Sequence, residues 1–155
     1  MGTKNNSSLF YTCSLIEFMG RKVKRRRREI VDALGEKRVK RIYDYSDIFH
    51  CEPIEKVAAE YIEESRMTKG KFDNEVECKY QIPDYWTIGE VYERLIEDSY
   101  SDEKILQGIW EVYHSWIDDK LSDYNTDFYY QPRDYIAACY KKGEILQRRK
   151  QWQKE

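Results

Sequence analysis

The sequence predicts an all-α, single-domain protein built as a bundle of six or seven helices. Apolar residues recur at helical spacing along most of the 155-residue chain, which contains only seven glycines and three prolines. Aromatic residues make up 15% of the chain, which is too much apolar material for a disordered protein. A chain of this length can bury a core without disulfides or metals. We expect a disordered segment 1–6, one helical domain 7–147 and a basic tail 148–155.

The first half of the chain contains four predicted helices. Ser7 or Ser8 can cap a first helix that is apolar on several sides and should lie in the core, although Gly20 could interrupt it. The next two helices are separated by Gly35, which suits the left-handed position past a helix end. Pro53 favours the start of a fourth helix. The inward residues of that helix follow the i, i+3, i+4, i+7, i+8 pattern: Ile54, Val57, Ala58, Tyr61 and Ile62.

The middle of the chain breaks the helical period. Val76, Cys78, Tyr80 and Ile82 alternate with polar residues, which is typical of a β-strand, but no convincing second strand accompanies them. The segment 76–82 is therefore predicted to be an extended arm on the helices, part of a small hairpin, or an edge that pairs with another chain.

Three more helices are predicted after this segment. Thr87 and Glu90 match a capping box. Ser101 can cap the next helix, which is apolar around much of its girth and extends to Ile117. With the first helix, that helix is expected at the centre of the core. The stretch 118–130 is predicted to be mostly loop, and one more helix follows it.

Charge is sorted along the chain. Residues 1–41 contain 12 Lys/Arg and 4 Asp/Glu, residues 42–147 contain 11 and 24, and residues 148–155 contain 4 and 1. The formal net charge of −2 therefore conceals a basic head, an acidic body and a basic tail. Such asymmetry bears on solubility and on partners, not on fold.

The run 21–28 holds seven positive charges in eight residues. It could contact nucleic-acid phosphates or dock on an acidic protein. Alternatively, it is a solvated helix face or is neutralised by the acidic body of the same chain. Sequence-specific DNA reading is a weaker hypothesis, because the helix after Gly35 lacks Asn and Gln for base edges. The candidate binding residues are Arg21, Lys22, Lys24, Arg25, Arg26, Arg27, Arg28, Lys37, Arg38, Lys40 and Arg41.

An acidic stretch rich in aromatic residues follows residue 118. Clustered carboxylates and rings favour a protein-interaction surface or a mimic of nucleic-acid charge, since Tyr often anchors interfaces. Alternatively, the rings are buried under a surface loop. The candidate partner-binding residues are Asp119, Asp123, Tyr124, Asp127, Phe128, Tyr129 and Tyr130.

No sequence motif defines a catalytic or metal site. His50 adjoins Cys51, but the paired spacings of a zinc site are absent, and His114 could form a catalytic pair only in space. The Arg–His spacing of helical toxin ribonucleases, a phosphate-binding loop, and the GxSxG and HExxH motifs are also absent. We predict no catalytic residue, no metal and no cofactor, with an enzyme or toxin whose site forms only in the folded chain as a remaining alternative.

The cysteines and the first apolar stretch indicate where in the cell the protein is located. The four cysteines are far apart and form no CxxC pair, which favours reduced and mostly buried thiols in a cytoplasmic protein. The apolar stretch 9–19 is too short to span a bilayer and contains Glu17. Positive charges follow this stretch, the reverse of a signal peptide. We therefore expect no membrane span and a cytoplasmic location.

Four stretches resemble a family of small helical proteins of Gram-positive bacteria and mobile elements: Ile30–Gly35, Ile42–Glu52, Tyr85–Tyr92 and Tyr113–Ile117. The resemblance covers most of the chain, but it implies no activity and no functional residue for this protein. It implies a bacterial cytoplasmic protein from a toxin–antitoxin, immunity or phage-related locus. We therefore expect a non-enzymatic factor that binds a protein partner, with a nucleic-acid-binding module using residues 21–28 as the alternative. The oligomeric state stays open.

Overall fold

Eight α-helices make up the part of the chain that the computed structural model describes, residues 6–147, and no β-strand occurs in that part. The all-α prediction is therefore confirmed, and the segments 1–5 and 148–155 lie outside the described residues. Two 3₁₀ turns, Asp102–Lys104 and Phe128–Tyr130, lie between helices. The helices are α1 (Ser7–Val23), α2 (Arg27–Asp44), α3 (Ser46–Phe49), α4 (Ile54–Glu64), α5 (Tyr85–Ser99), α6 (Ile105–Tyr113), α7 (Trp116–Leu121) and α8 (Arg133–Lys142).

The helices α1 and α5 form the central pair of the bundle. Apolar side chains surround much of α1, and neighbours cover it on several sides, so Leu9, Leu15 and Ile16 have no exposed surface. Gly89 of α5 faces Ser14 of α1, and a Cβ at position 89 would lie 2.7 Å from the Ser14 Cα. The two backbones can cross this closely only because residue 89 has no side chain.

The helix predicted to end at Ile117 is divided in the structure and is not the partner of α1. It breaks after Tyr113, and Ser115 caps α7 by accepting a hydrogen bond from the Ile117 amide at 3.3 Å. The first part, α6, packs on α2 and α5. There Tyr113 stacks on Tyr92 of α5, with ring centroids 4.3 Å apart. The residues of α5, rather than those of α6, therefore pair with α1 at the centre.

Two helices begin earlier than predicted. Asn6, rather than Ser7 or Ser8, caps α1, and its side chain accepts a hydrogen bond from the Leu9 amide at 2.9 Å. Asp84, rather than Thr87, caps α5 in the same way. Asn and Asp are at least as effective as Ser and Thr at this position. The earlier caps add residues to the two central helices.

Gly20 and Gly35 differ in their effect on the helices. The helix α1 continues through Gly20. At Gly35 the backbone is not helical, with φ of 78° and ψ of 167°, so α2 consists of two helical segments that meet at a kink, as the sequence predicted. A positive φ is easily adopted by glycine because it has no Cβ, which places the break at this residue.

The segment 76–82 forms no strand. It begins in a turn at residues 74–77 and continues as irregular chain to α5. The Asn125 side chain holds it, accepting a hydrogen bond from the Lys79 amide at 2.7 Å and donating one to the Glu77 carbonyl at 3.0 Å. Of the three predicted alternatives, the arm that lies on the helical body agrees with these contacts.

The sequence predicted mostly buried thiols and no membrane-spanning helix. All four cysteines are free: Cys13 and Cys139 are buried, Cys78 is half-buried and Cys51 is exposed. Within residues 6–147, no helix combines the length and the apolar surface that crossing a membrane requires.

Replacing Gly89 with Ala tests the close crossing of α1 and α5. The added methyl group meets the α1 backbone, so we expect Gly89→Ala to lower the free energy of unfolding by about 1–3 kcal/mol. Urea unfolding followed by circular dichroism measures the change. The control is Glu90→Ala, which removes only an exposed contact to Arg94 and should cost about 0.5 kcal/mol or less. Equal stability of the two variants would contradict the crossing.

Candidate functional site

A buried ion pair joins α1 to the start of α2. The Glu17 and Arg27 side chains are 2% and 0% exposed. Arg27 donates through Nε to Glu17 Oε1 at 2.9 Å and through Nη2 to Oε2 at 3.0 Å, a bidentate contact that is the strongest geometry for this pair. Gly20 leaves the space for it, because a Cβ at position 20 would lie 2.5 Å from Arg27 Cδ.

Arg21 and Tyr124 complete the partners of Glu17. Arg21 donates through Nε to Glu17 at 2.9 Å and through Nη2 to the Tyr124 hydroxyl at 3.0 Å and the Pro83 carbonyl at 2.7 Å. The Tyr124 hydroxyl donates to the same carboxylate. One buried carboxylate therefore connects α1 with two segments that are far away in sequence.

Asn74 adds a further connection between the same segments. Its Oδ1 accepts a hydrogen bond from Arg27 at 3.2 Å, and its Nδ2 donates to the Ser122 carbonyl at 2.9 Å. Asn74 is buried, so these bonds replace the water that its amide loses on folding. We call Glu17, Arg21, Arg27, Asn74 and Tyr124 the buried charge network.

The buried charge network holds Glu17 in its ionised form. Burial alone raises the pKa of Glu17, but the charge and hydrogen bonds of Arg27, together with Arg21 and Tyr124, lower the pKa to about 2. A carboxylate with this pKa is a poor general acid or base near neutral pH. The geometry therefore assigns the network a structural role.

The predicted basic surface 21–28 is largely neutralised within the chain. Arg26 and Arg28 both bind Asp119, with N–O distances of 3.0 Å and 2.7 Å. The Arg26 guanidinium also lies over the Phe72 ring, 4.4 Å from its centroid. Asp119, predicted to bind a partner, is thus committed to the basic segment of its own chain.

The remaining lysines and arginine of this segment differ in their contacts. Lys24 lies 3.3 Å from Asp73, and Arg25 lies 3.3 Å from Glu29. Lys22 is exposed and has no ion pair within residues 6–147. Exposed pairs of this kind contribute about 0–1 kcal/mol each, but they reduce the positive charge that the segment presents to a partner.

The basic residues of the second half of α2 show the same pairing. Arg38 and Arg41 share Glu64, at 2.8 Å and 2.7 Å, and Lys40 lies 2.6 Å from Asp44. Lys37 is exposed and has no ion pair within the described residues. Nine of the eleven predicted binding cations therefore face a carboxylate of their own chain.

The predicted partner-binding residues after position 118 divide between core and surface. Tyr124 and Phe128 are buried, so for these two rings the alternative of burial under a surface loop is the correct one. Tyr129 is half-buried and packs on Tyr130, with ring centroids 5.1 Å apart. The exposed members of the set are Asp119, Asp123, Asp127 and Tyr130, of which Asp119 is held by Arg26 and Arg28.

Exposed apolar side chains lie beside these residues. Val76, Tyr80 and Tyr130 are 76%, 69% and 67% exposed, and Ile82 is also exposed. The Asn125 hydrogen bonds hold the segment 76–82 next to the loop that ends in Tyr130. We call these four side chains, with the exposed carboxylates Glu77, Asp123 and Asp127, the arm surface.

Sequence reasoning assigned Tyr130 to a binding surface but missed the apolar residues of the segment 76–82. The available signal was the alternation of apolar and polar residues without a second strand to cover the apolar ones, although in the structure Cys78 of this series is half-buried while Val76, Tyr80 and Ile82 are exposed. The arm surface also adjoins a small cleft of ≈ 180 Å³ between α5 and α8, lined by Tyr130 and Arg94 among others.

The histidines are engaged in packing and hydrogen bonding. His114 lies 2.7 Å from Asp32 through Nε2 and 2.7 Å from the Trp110 carbonyl through Nδ1. Both partners are hydrogen-bond acceptors, so both ring nitrogens of His114 lie against groups of its own chain. His50 packs edge-on against Trp86. Among residues 6–147, no group of three or more His, Cys, Asp or Glu side chains is arranged to hold a metal ion.

A second group of buried carboxyls lies on α5. Glu97 accepts a hydrogen bond from the Asn6 amide at 2.8 Å and one from Arg133 at 3.4 Å. Glu93, one turn earlier, is buried beside Glu97. Burial, and then the neighbouring Glu97, raise the pKa of Glu93 to about 8. Glu93 is therefore mainly protonated at neutral pH.

No protein-family model matches the chain, and comparisons with curated proteins and with solved structures gave no match either. The fold and the surfaces thus define the class: an all-α domain with a buried charge network and an exposed arm surface. The resemblance to proteins of Gram-positive bacteria and mobile elements stays a prediction.

Replacing Glu17 with Gln tests the buried charge network. The substitution leaves Arg27 buried without its counter-charge, so we expect the free energy of unfolding to fall by about 3–5 kcal/mol. Urea unfolding at pH 7 measures it. The control is Glu29→Gln, which removes an exposed partner of Arg25 and should cost about 1 kcal/mol or less. A Glu17→Gln protein as stable as this control would contradict the network.

The raised pKa of Glu93 predicts a dependence of stability on pH. The folded-state pKa is above the usual value of 4.5, so the contribution of Glu93 to stability is fully present below pH 4.5 and is lost as the pH rises towards 8. We expect Glu93→Gln to gain stability over the natural protein between pH 5 and pH 9, by roughly 2–4 kcal/mol. Urea unfolding across this range measures the difference. A difference in stability that does not change with pH would refute the prediction.

Proposed function

We propose that this protein is a non-enzymatic binding factor that holds a basic protein partner on the arm surface. The observation that carries the proposal is that four exposed apolar side chains and three exposed carboxylates lie on two segments that the Asn125 hydrogen bonds join. Contiguous exposed apolar groups with a polar rim are typical of interaction sites, whereas single exposed apolar residues are ordinary. Tyr residues are also among the side chains that most often dominate binding energy.

The charge of the arm surface supports a basic partner. Glu77, Asp123 and Asp127 have no ion pair within residues 6–147, and each is exposed. The nearest large group of cations is already committed, because Arg26 and Arg28 bind Asp119. Even with the exposed Lys79 of the same segment, the arm surface presents an excess of negative charge, which steers a positively charged partner and increases its association rate.

The shape of the surface beside Tyr130 supports a contact in which the partner inserts a side chain. The cleft of ≈ 180 Å³ beside Tyr130 is walled by Val91, Leu95 and Ile136 as well as by polar groups. A partner that covers Tyr80 and Tyr130 could insert an apolar side chain there. A few buried anchors of this kind, surrounded by a polar rim, commonly supply most of the affinity of an interface.

The resemblance to proteins of Gram-positive bacteria and mobile elements gives the proposal its setting. It supports an antitoxin, immunity or accessory role in the bacterial cytoplasm. Covering the basic surface of a partner requires no bond chemistry. Nucleic-acid binding by the whole run 21–28 is less favoured, because six of its seven cations face carboxylates of the same chain.

Affinity capture from a lysate of the source organism tests the proposal. The natural protein, a Tyr80→Ser/Tyr130→Ser variant and a Tyr45→Ser/Ile48→Ser control are compared, with and without nuclease. The control also replaces two exposed large apolar residues, but away from the arm surface. We expect a stoichiometric basic protein that survives nuclease, is retained by the control and is weakened at least about tenfold by the arm variant, since anchors contribute about 2 kcal/mol or more.

The carboxylates provide a second measurement with the purified partner. Replacing Glu77, Asp123 and Asp127 by their amides should slow association and weaken its salt dependence, with a smaller effect on dissociation. Binding that the arm variant leaves intact, or recovery of nucleic acid alone, would overturn the proposed function.

A further inference from the structure

An open cleft of ≈ 480 Å³ lies at the C-terminal end of α1. It shares no lining residue with the arm surface. Six of its lining residues are cationic or aromatic, and one, Glu75, is acidic. The cationic and aromatic residues are Phe18, Arg21, Lys22, Lys24, Lys69 and Tyr85.

The backbone brings Lys69 to the cations of α1. The Gly70 amide donates to the Val23 carbonyl at 2.7 Å, and the Phe72 amide donates to the Lys24 carbonyl at 2.9 Å. This contact requires glycine, because a Cβ at position 70 would lie 2.6 Å from the Lys24 carbonyl oxygen. Lys69 is thus fixed beside the end of α1, although it is more than forty residues away in sequence.

The cleft contains ammonium groups that no carboxylate neutralises. Lys22 and Lys69 are exposed and have no ion pair within residues 6–147. Lys24 lies 3.3 Å from Asp73, and Arg21 is held by the buried charge network, with Glu75 at 3.5 Å. The lining side chains therefore carry an excess of positive charge, and two flexible lysines are available to a phosphate.

Two lining residues of the cleft, Phe18 and Tyr85, belong to a row of half-buried aromatic rings. Phe18 and Tyr85 meet edge-on at 5.0 Å, Tyr85 lies 5.0 Å from Trp86, and Trp86 lies 5.4 Å from Phe10. Phe10 and Phe18 are eight residues apart on α1, or about 12 Å along its axis. Aromatic platforms beside a positive groove are the arrangement with which proteins bind unpaired bases. We call these four rings the aromatic row.

We propose that this cleft binds a nucleotide, with the phosphate on Lys22 and Lys69 and the base on the aromatic row. The nucleotide is either free or part of a single strand, and the two sources share this chemistry. The site goes beyond the proposed function, since it uses other residues. It also differs from the contact predicted for the run 21–28, because Arg25, Arg26 and Arg28 take no part.

Binding by the purified full chain tests the inference. One probe is a fluorescein-labelled strand of six thymidine nucleotides, measured by anisotropy at several salt concentrations, and the other is ATP, measured by calorimetry. We expect a Kd below about 1 mM at low salt for at least one probe. For Lys22→Ala/Lys69→Ala, we expect about tenfold or more loss of affinity and a strand-binding salt slope smaller by about 1.4.

Two further variants separate the cleft from general charge. The control Lys141→Ala/Lys142→Ala removes two other exposed lysines without ion pairs in the described residues, and it should bind as the natural protein does. Tyr85→Leu should weaken binding about tenfold through the lost stacking. Circular dichroism checks that each variant is folded, and if Tyr85→Leu is not, the lysine variants decide.

The probes identify the source of the nucleotide. Binding of the strand but not of ATP supports a nucleic-acid site, and the reverse supports a free nucleotide. Three results would overturn the inference: neither probe binds below about 1 mM, both lysine pairs matter equally, or inorganic phosphate alone competes as well as the nucleotide.

Discussion

The bidentate contact between Glu17 and Arg27 is the interaction on which the arrangement of the chain depends. Removing two charges from water is costly, and the attraction between them offsets this cost only when the remaining hydrogen-bonding groups are also satisfied. Arg21 and Tyr124 satisfy the carboxylate, and Asn74 contacts the guanidinium. Since these residues come from α1, α2 and two distant connections, the same contact fixes where both proposed binding surfaces lie.

The fold class could be predicted from the sequence, because it follows from local periodicity and from the small number of helix-breaking residues. Helix ends could not, since several adequate caps compete within a few residues. Asn6 lies next to Ser7, and Asp84 lies three residues before Thr87, so the choice depends on the packing of α1 against α5. Likewise, no local pattern shows that the α1–α5 crossing requires Gly89.

The candidate surfaces were less predictable, for a similar reason. Counting charges identified the basic run, but the carboxylate that neutralises Arg26 and Arg28 is about ninety residues away. Burial of Tyr124 follows from a partner near the N-terminus, Glu17, which the local sequence cannot reveal. The aromatic row is similar, because it combines rings of α1 with the first turn of α5. The sequence identifies the charged and aromatic side chains, but the tertiary contacts determine which of them remain available to a partner.

The absence of a side chain at Gly20 constrains how the sequence can change during evolution. Any side chain there would occupy the volume through which Arg27 reaches Glu17. A change at one of these three positions is harmful alone, whereas an apolar replacement of the whole set could be neutral. Related proteins should therefore retain glycine, arginine and glutamate together or have lost all three, and this covariation would mark descent even where overall similarity has faded.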